Sequence, residues 1–267
     1  MLLKLPCKAA LFTKASLFLV HFRHVLESMS TLLGCHSVKV GSRCGEGSDW
    51  MGLEPAAGLA APDSSSGPTA FGLGNPGCRD CSGCEALLHE CKDDEFAASA
   101  TLEYISIEFA RDVSIQSSAY ATTQESVVLG YLARDPPDYI VFNCGLHDTS
   151  LPDPSSEAYE RNLRWYMSVL LKLVPASRLL WVHTTAVHAS AQPERFRNVT
   201  SNVRVWGYNQ VAQRVMNEHG VRIVDPFPML LLPVFEGETP DGVHFYGDQG
   251  FYNTMAWNVI SSLCFFS

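Results

Sequence analysis

The sequence predicts an α/β chain whose central parallel sheet is covered by helices on both faces. Three observations predict it. Short apolar runs suited to buried strands recur at 138–143, 178–184 and 221–224. Amphipathic helical stretches separate them. Polar residues gather where each run ends. Strands alternating with helices imply a parallel sheet buried on both sides. In such sheets functional groups collect at the carboxyl ends of the strands.

The 267 residues are 46% hydrophobic, enough for one sizeable core with a small appendage. A net charge of −9 argues against a nucleic-acid partner, since nothing in the sequence suggests a basic face. The longest early apolar run, Leu11 to Val20, is broken by Lys14 and too short to span a bilayer, so membrane association stays open.

Met1 to Val20 carries Lys4, Lys8 and Lys14 and no acid. It lacks the unbroken apolar centre and cleavage site of a signal sequence, and it fits an organelle-targeting segment only in part. The plain alternative is an ordinary strand or helix at the domain edge. Val25, Met29, Leu32 and Leu33 then recur at helical spacing, and Gly34 stops the helix. The stretch 41–77 is rich in Gly, Ala, Pro and Ser and reads as a flexible loop or linker.

A cysteine-rich insertion follows at 78–101, with Cys78, Cys81, Cys84 and Cys91 close together among nine cysteines. Such thiols serve as zinc ligands or as disulfides. Disulfides are the preferred reading, because no second distant Cys/His pair accompanies the cluster. Asn198-Val199-Thr200 fits the glycosylation pattern. Both features agree with a secretory or extracellular location.

The core is expected over 102–267. Leu102 to Ile107 alternates and reads as a strand, and Ser126 to Ala133 as a short helix. Asp138 to Asn143 is a buried strand. Ser155 to Val174 is a long helix with Tyr159, Leu163, Tyr166, Leu170 and Leu173 along one side and Pro154 at its start. A strand at 178–184, a helix from Val205 to Glu218 stopped by Gly220, and a strand at 221–224 ended by Asp225-Pro226 come next. Gln249 to Leu263 closes the chain as a helix.

The strand ends select Asn143-Cys144-Gly145-Leu146-His147-Asp148, then Thr185, Val187 and His188, then Asp225. Just before the last helix stands Pro240-Asp241-Gly242-Val243-His244-Phe245. Asp and His three apart in a turn allow the carboxylate to fix the imidazole tautomer, leaving the other nitrogen to move a proton. Such pairs are also common on surfaces. Asn143 and Asp148 have a plain alternative too, as caps of the loop they begin and end.

The order strand, Asn-x-Gly-x-His-Asp, long helix, strand, helix, strand, Asp-Gly-x-His-Phe, helix resembles the SGNH (GDSL-type) hydrolase superfamily, nearest its PC-esterase-like branch, which includes polysaccharide O-acetyl-modifying proteins. The resemblance covers 102–263 and extends toward Phe18. It implies a three-layer, flavodoxin-like α/β sandwich and a serine esterase or acyltransferase that needs no metal or other cofactor. It makes His244 the base and Asp241 its orienting acid. Gly145 and His147 fall on the oxyanion block, with His147 where Asn is usual and Asn143 a second candidate donor. Asp148 would support them. The substrate class implied is an acylated carbohydrate or another acyl ester.

One block of that pattern is missing. Counting back from Arg23 places Phe18, Leu19 and Val20 on the Gly-Asp-Ser that carries the nucleophile. Valine cannot attack a carbonyl. Ser16 requires a shifted register, and Gly47-Ser48-Asp49 has the letters in another order. Residues 1–17 read as replacing the strand that should precede the nucleophile, so 1–40 is a degenerate start of the domain or a targeting segment. Either the scaffold has lost its nucleophile or an incorrect gene model supplies the first residues. The expectation is weak or no turnover, with a non-catalytic glycan-binding or interaction protein as the alternative. No Gly-x-Ser-x-Gly elbow and no Gly-x-Gly-x-x-Gly turn occurs, which disfavours the other common α/β hydrolases and dinucleotide binding.

Overall fold

The structure, a computed structural model, describes residues 15–18, 25, 28, 29, 32, 35–42, 85–93, 98–105, 137–150, 154–235, 239, 241–245 and 249–264. Its strands are β1 (Ala15–Phe18), β2 (Cys35–Ser42), β3 (Glu85–Asp93), β4 (Ala98–Ile105), β5 (Tyr139–Phe142), β6 (Leu179–Val182) and β7 (Arg222–Val224). They form one sheet in the order β2-β3-β4-β1-β5-β6-β7. The run β4-β1-β5-β6-β7 is parallel throughout, while β3 lies antiparallel to both β2 and β4.

The start of the chain departs from expectation. Ala15–Phe18, read as part of a segment replacing the first core strand, is a strand, and it lies between β4 and β5 rather than at an edge. A buried strand needs only a few uncharged residues, and Ala15-Ser16-Leu17-Phe18 supplies four just after Lys14. The lysine spacing hid it. Its register sets Ser16 opposite Ile140 and Phe18 opposite Phe142, so Ser16 lies inside the ladder and Phe18 at its carboxyl end.

The antiparallel β2–β3 pairing also went unread. It carries Cys91, last of the clustered cysteines, into the ladder opposite Cys35. Cys78, Cys81 and Cys84, most of the 41–77 stretch and the expected helix 126–133 lie outside the described residues.

Among the described residues, the helices of nine residues or more are α1 (Ser156–Leu173), α2 (Asn202–Glu218), α3 (Phe227–Phe235) and α4 (Gln249–Cys264). Capping sets where the first two begin. The Ser155 hydroxyl accepts from the Ala158 N–H at 3.1 Å, and the Ser201 hydroxyl from the Arg204 N–H at 3.4 Å. Ser201 is why α2 starts three residues before the expected Val205. Gly220, at φ +70°, supplies the left-handed turn after α2.

Alternate strand residues sort into two cores. Ile140, Phe142, Leu179 and Trp181 pack against α1 and α2 through Tyr159, Leu163, Tyr166, Leu170 and Val215. Val141, Leu180, Val182 and Val224 pack against α4 through Met255, Val259 and Ile260, together with Val25 and Met29 of the helical stretch after β1. Leu32 of that stretch faces solvent instead. The result is three layers, helices on each face of one sheet. Each fully buried large apolar side chain contributes about 1.5–3 kcal/mol.

Strand order fixes where a ligand belongs. From central β1 the chain builds one side of the sheet through β4, then returns to build the other through β5, β6 and β7. The direction reverses between β1 and β5, and the crevice outside their carboxyl ends is the expected binding position in such sheets.

Candidate active site

Asp241 and His244 meet as their spacing predicted. Asp241 Oδ2 lies 2.5 Å from His244 Nδ1. Asp241 Oδ1 accepts from the backbone N–H groups of Val243 at 3.0 Å and His244 at 2.8 Å. One carboxylate thus closes the turn with one oxygen and holds the ring with the other. Partial burial opposes ionisation of Asp241. The hydrogen bonds from the His244 ring and from the His244 and Val243 N–H groups outweigh it, and the carboxyl is held below its usual range.

Gly242 makes this turn possible. Its φ is +87°, and a Cβ there would lie 2.4 Å from Gln192 Cγ and 2.7 Å from the His188 carbonyl oxygen. The His188 N–H donates to the Gly242 carbonyl at 2.8 Å. The turn is therefore seated directly on the loop that follows β6. His188 itself places Nε2 2.9 Å from the Ser190 hydroxyl.

The residues after β5 divide by role. The Asn143 amide nitrogen donates to the Val182 carbonyl at 2.6 Å and to the Thr184 hydroxyl at 3.3 Å. Both its hydrogens thereby tie the end of β5 to the end of β6. Asp148 is buried, and its charge acts on Tyr159, whose phenol is pushed well up by burial first and then by Cys144 and Asp148. The Tyr159 hydroxyl donates to the Cys144 carbonyl at 3.0 Å. His147 is half-buried at the start of the 3₁₀ turn His147–Ser150.

Gly145 sits at φ +137°, and a Cβ there would lie 3.0 Å from Thr184 Oγ1 and 3.2 Å from the Tyr159 hydroxyl. Among the described residues no acceptor takes its N–H.

Thr184 and Thr185 connect these pieces. Thr184 adjoins Gly145, while Thr185 lines a small recess with His244, Val25, Phe245, Phe251 and Tyr252. The Gly145 loop and the His244 recess are thus one threonine apart along the chain. The lining of the recess is aliphatic and aromatic apart from Thr185, His244 and the Tyr252 hydroxyl, so the imidazole borders mostly uncharged surroundings. The next residue in the nucleophile count, Val20, lies outside the described residues.

Sequence reasoning missed the fasteners. Asn209 grips Thr184 by its N–H at 3.0 Å and its carbonyl at 2.9 Å. Asn202 grips Val187 in the same two-way fashion, at 2.7 and 2.9 Å. Arg204 donates to the Thr149 carbonyl at 3.1 Å. All three lie on α2, whose first half organises the rim loops. Polar residues on a helix face otherwise read as solvated, so only the cap at Ser201 was available as a signal.

A second histidine–carboxylate contact stands nearby. His183 Nδ1 is 3.2 Å from Asp225 Oδ1, where β6 and β7 end. The approach is misaligned, and among the described residues neither ring nitrogen of His183 makes a hydrogen bond. Burial lowers the His183 pKa despite the opposing pull of Asp225.

No protein-family model and no curated protein matches the chain. Among solved structures it is similar to a lipase/acylhydrolase from Enterococcus faecalis, at 16% identity over 61% of this chain and 75% of that one, with a TM-score of 0.44. That likeness is too low to carry an argument, and the chemistry rests on the geometry of this chain.

Proposed function

We propose that the chain is an SGNH-type ester hydrolase or acyltransferase with an intact acid–base end and no hydroxyl at the nucleophile position. The substrate class is an acyl ester, O-acetyl glycans among them. The observation that carries this is the Asp241–His244 pair, at 2.5 Å, beside an apolar recess and on the rim where functional groups of such sheets converge.

The chemistry follows from the turn. Asp241 holds the proton on Nδ1, which makes Nε2 the basic nitrogen. A nucleophilic O–H would give its proton to Nε2, and the imidazolium would return it to the leaving alcohol. The Gly145 N–H, with His147, supports the oxyanion, a donor of this kind contributing about 3–4 kcal/mol to the transition state. The Gly-Asp-Ser block that would supply the attacking oxygen is what the sequence lacks. Counting back from Arg23 puts Val20 in the serine position, and β1 ends two residues earlier, at Phe18 alongside Phe142.

Installing the hydroxyl tests this. Hydrolysis of p-nitrophenyl acetate by the parent chain should stay near the buffer rate. Val20→Ser should raise it by about 10²-fold or more, within the range of activated nucleophiles. Adding His244→Ala should remove the gain. A folded Val20→Ser protein with no gain would refute the assignment of the β1 end.

A second reading, glycan binding without turnover, is favoured by Trp206, exposed on α2, and Trp165, exposed on α1. Aromatic faces of this kind suit sugars. Quenching of tryptophan fluorescence by an acetylated oligosaccharide, lost in Trp206→Ala, would support it. The secretory location stays part of the proposal and is supported by the exposed Asn198 and the cysteine content.

A further inference from the structure

We propose that Gln192, Thr200 and Thr149 form a buried polar strut that sets the distance between the His244 turn and the Gly145 loop. The three are positioning residues for the site, an inference that rests on the esterase reading above.

The strut begins at the base end. Gly242 is seated on Gln192, whose Cγ would stand 2.4 Å from a Cβ at 242. Gln192 is buried, and its Nε2 donates to the Thr200 carbonyl at 3.2 Å. From outside, Arg197 Nε donates to the Gln192 carbonyl at 2.8 Å. Thr200 is buried too, and its hydroxyl oxygen lies 2.9 Å from that of Thr149. The Thr149 hydroxyl lies 2.7 Å from the Leu146 carbonyl, next to Gly145.

Donor directions follow from counting hydrogens. A carbonyl oxygen only accepts, so Thr149 gives its single hydroxyl hydrogen to Leu146. Thr200 must therefore be the donor between the two threonines. Every side-chain donor in the series points the same way, from Gln192 to Thr200 to Thr149 to Leu146. The Gln192 bond ends on the Thr200 carbonyl and the next starts from the Thr200 hydroxyl, so the covalent frame of Thr200 completes the strut. It joins three loops that no sequence spacing connects, with 51 positions separating the two threonines.

One end of the strut carries the base and the other the oxyanion donor. A catalytic group displaced by about 1 Å loses about 10²-fold in rate. The strut also gives Thr200 a role apart from the glycosylation triplet it completes, since its hydroxyl is engaged in the folded chain.

The test uses the isotope-labelled full chain. Thr200→Val keeps the shape and removes the hydroxyl; Thr200→Ser keeps the hydroxyl. Thr200→Val should shift both the Gly145 amide and the His244 ring resonances, and Thr200→Ser should return both toward the parent. On the Val20→Ser background, Thr200→Val should lower kcat about 10-fold with KM within about 2-fold, a fraction of the full misplacement cost, and Thr200→Ser should restore kcat. A folded Thr200→Val protein that leaves either resonance in place would overturn the strut. Should Thr200→Val not fold, Gln192→Met, which removes only the amide, is read the same way. The resonances need no turnover. An inactive Val20→Ser chain therefore refutes the esterase reading while the spectra still decide on the strut.

Discussion

Among the described residues, two histidine–aspartate contacts are built from the same two side chains with opposite consequences. In the first, His244 is 23% exposed and Asp241 38%, and the groups meet at 2.5 Å. In the second, His183 is 2% exposed and Asp225 45%, and they approach at 3.2 Å without alignment. Asp241 is organised before it meets its partner, because two backbone N–H groups orient it. Asp225 uses the oxygen nearest His183 to accept from the Phe227 N–H at 3.1 Å, at the start of α3. The difference teaches that proximity of His and Asp does not make a catalytic pair. What matters is whether the carboxylate is fixed and whether the ring borders a space that a substrate can enter.

The largest test of that distinction is catalytic. On the Val20→Ser background, His244→Ala should cost about 10³–10⁴-fold in kcat/KM, the usual loss when a triad member is removed. Asp241→Asn should cost about 10²–10⁴-fold, because it permits the wrong tautomer. His183→Asn should leave kcat/KM within about 3-fold, as expected for a group outside the chemistry. Comparable losses at His183 and His244 would erase the contrast.

A smaller effect separates the turn that holds the first pair from an ordinary helix end. Gly242 and Gly220 both have positive φ, but only Gly242 is hemmed in by neighbouring atoms. Gly220→Ala should cost about 1–2 kcal/mol from backbone conformation alone. Gly242→Ala should cost about 2–4 kcal/mol, because backbone strain combines with displacement of the His188–Gln192 loop. Denaturant melts of the two variants decide it, and equal losses would mean that the loop does not brace the turn.

These contrasts also show what the sequence could convey. The Asp-x-x-His spacing was legible because a turn of that length brings the two side chains together whatever surrounds them. The amphipathic period of α1 was legible because its buried stripe follows one helix face. β3 was not. Its Glu85-Ala-Leu-Leu-His-Glu-Cys-Lys-Asp93 has no β-branched residue, and tertiary pairing with β2 and β4 overrides its propensity. α3 was hidden by Pro228 and Pro233, although Pro228 lies in the first turn, where no intrahelical N–H is needed. Asn143 was singled out as an oxyanion donor by its place in a motif, but its amide hydrogens are engaged in joining two strand ends. The strut was invisible for a related reason: its links join loops far apart in sequence, and hydroxyl-to-carbonyl contacts leave no periodic trace.

The smallest effect distinguishes the pairs by acid response. Burial keeps the His183 pKa below its ordinary value of about 6.5, so between that value and the depressed one the unfolded chain holds more protons than the folded chain. Stability then rises with pH across the window. Above about pH 6.5 both states are neutral at this ring and it contributes no slope. Acidifying below that point destabilises the fold, by at most about 1.4 kcal/mol per pH unit, until the folded-state pKa is passed. His183→Asn removes the titration. Subtracting its unfolding free energy from that of the parent, measured from pH 7.5 to 4.5, should give a difference that is flat near neutrality and bends once the acid branch is entered. A difference that stays flat would mean that the His183 ring is charged as readily inside as outside. The pull of the Asp225 carboxylate would then just offset the cost of burying the charged ring.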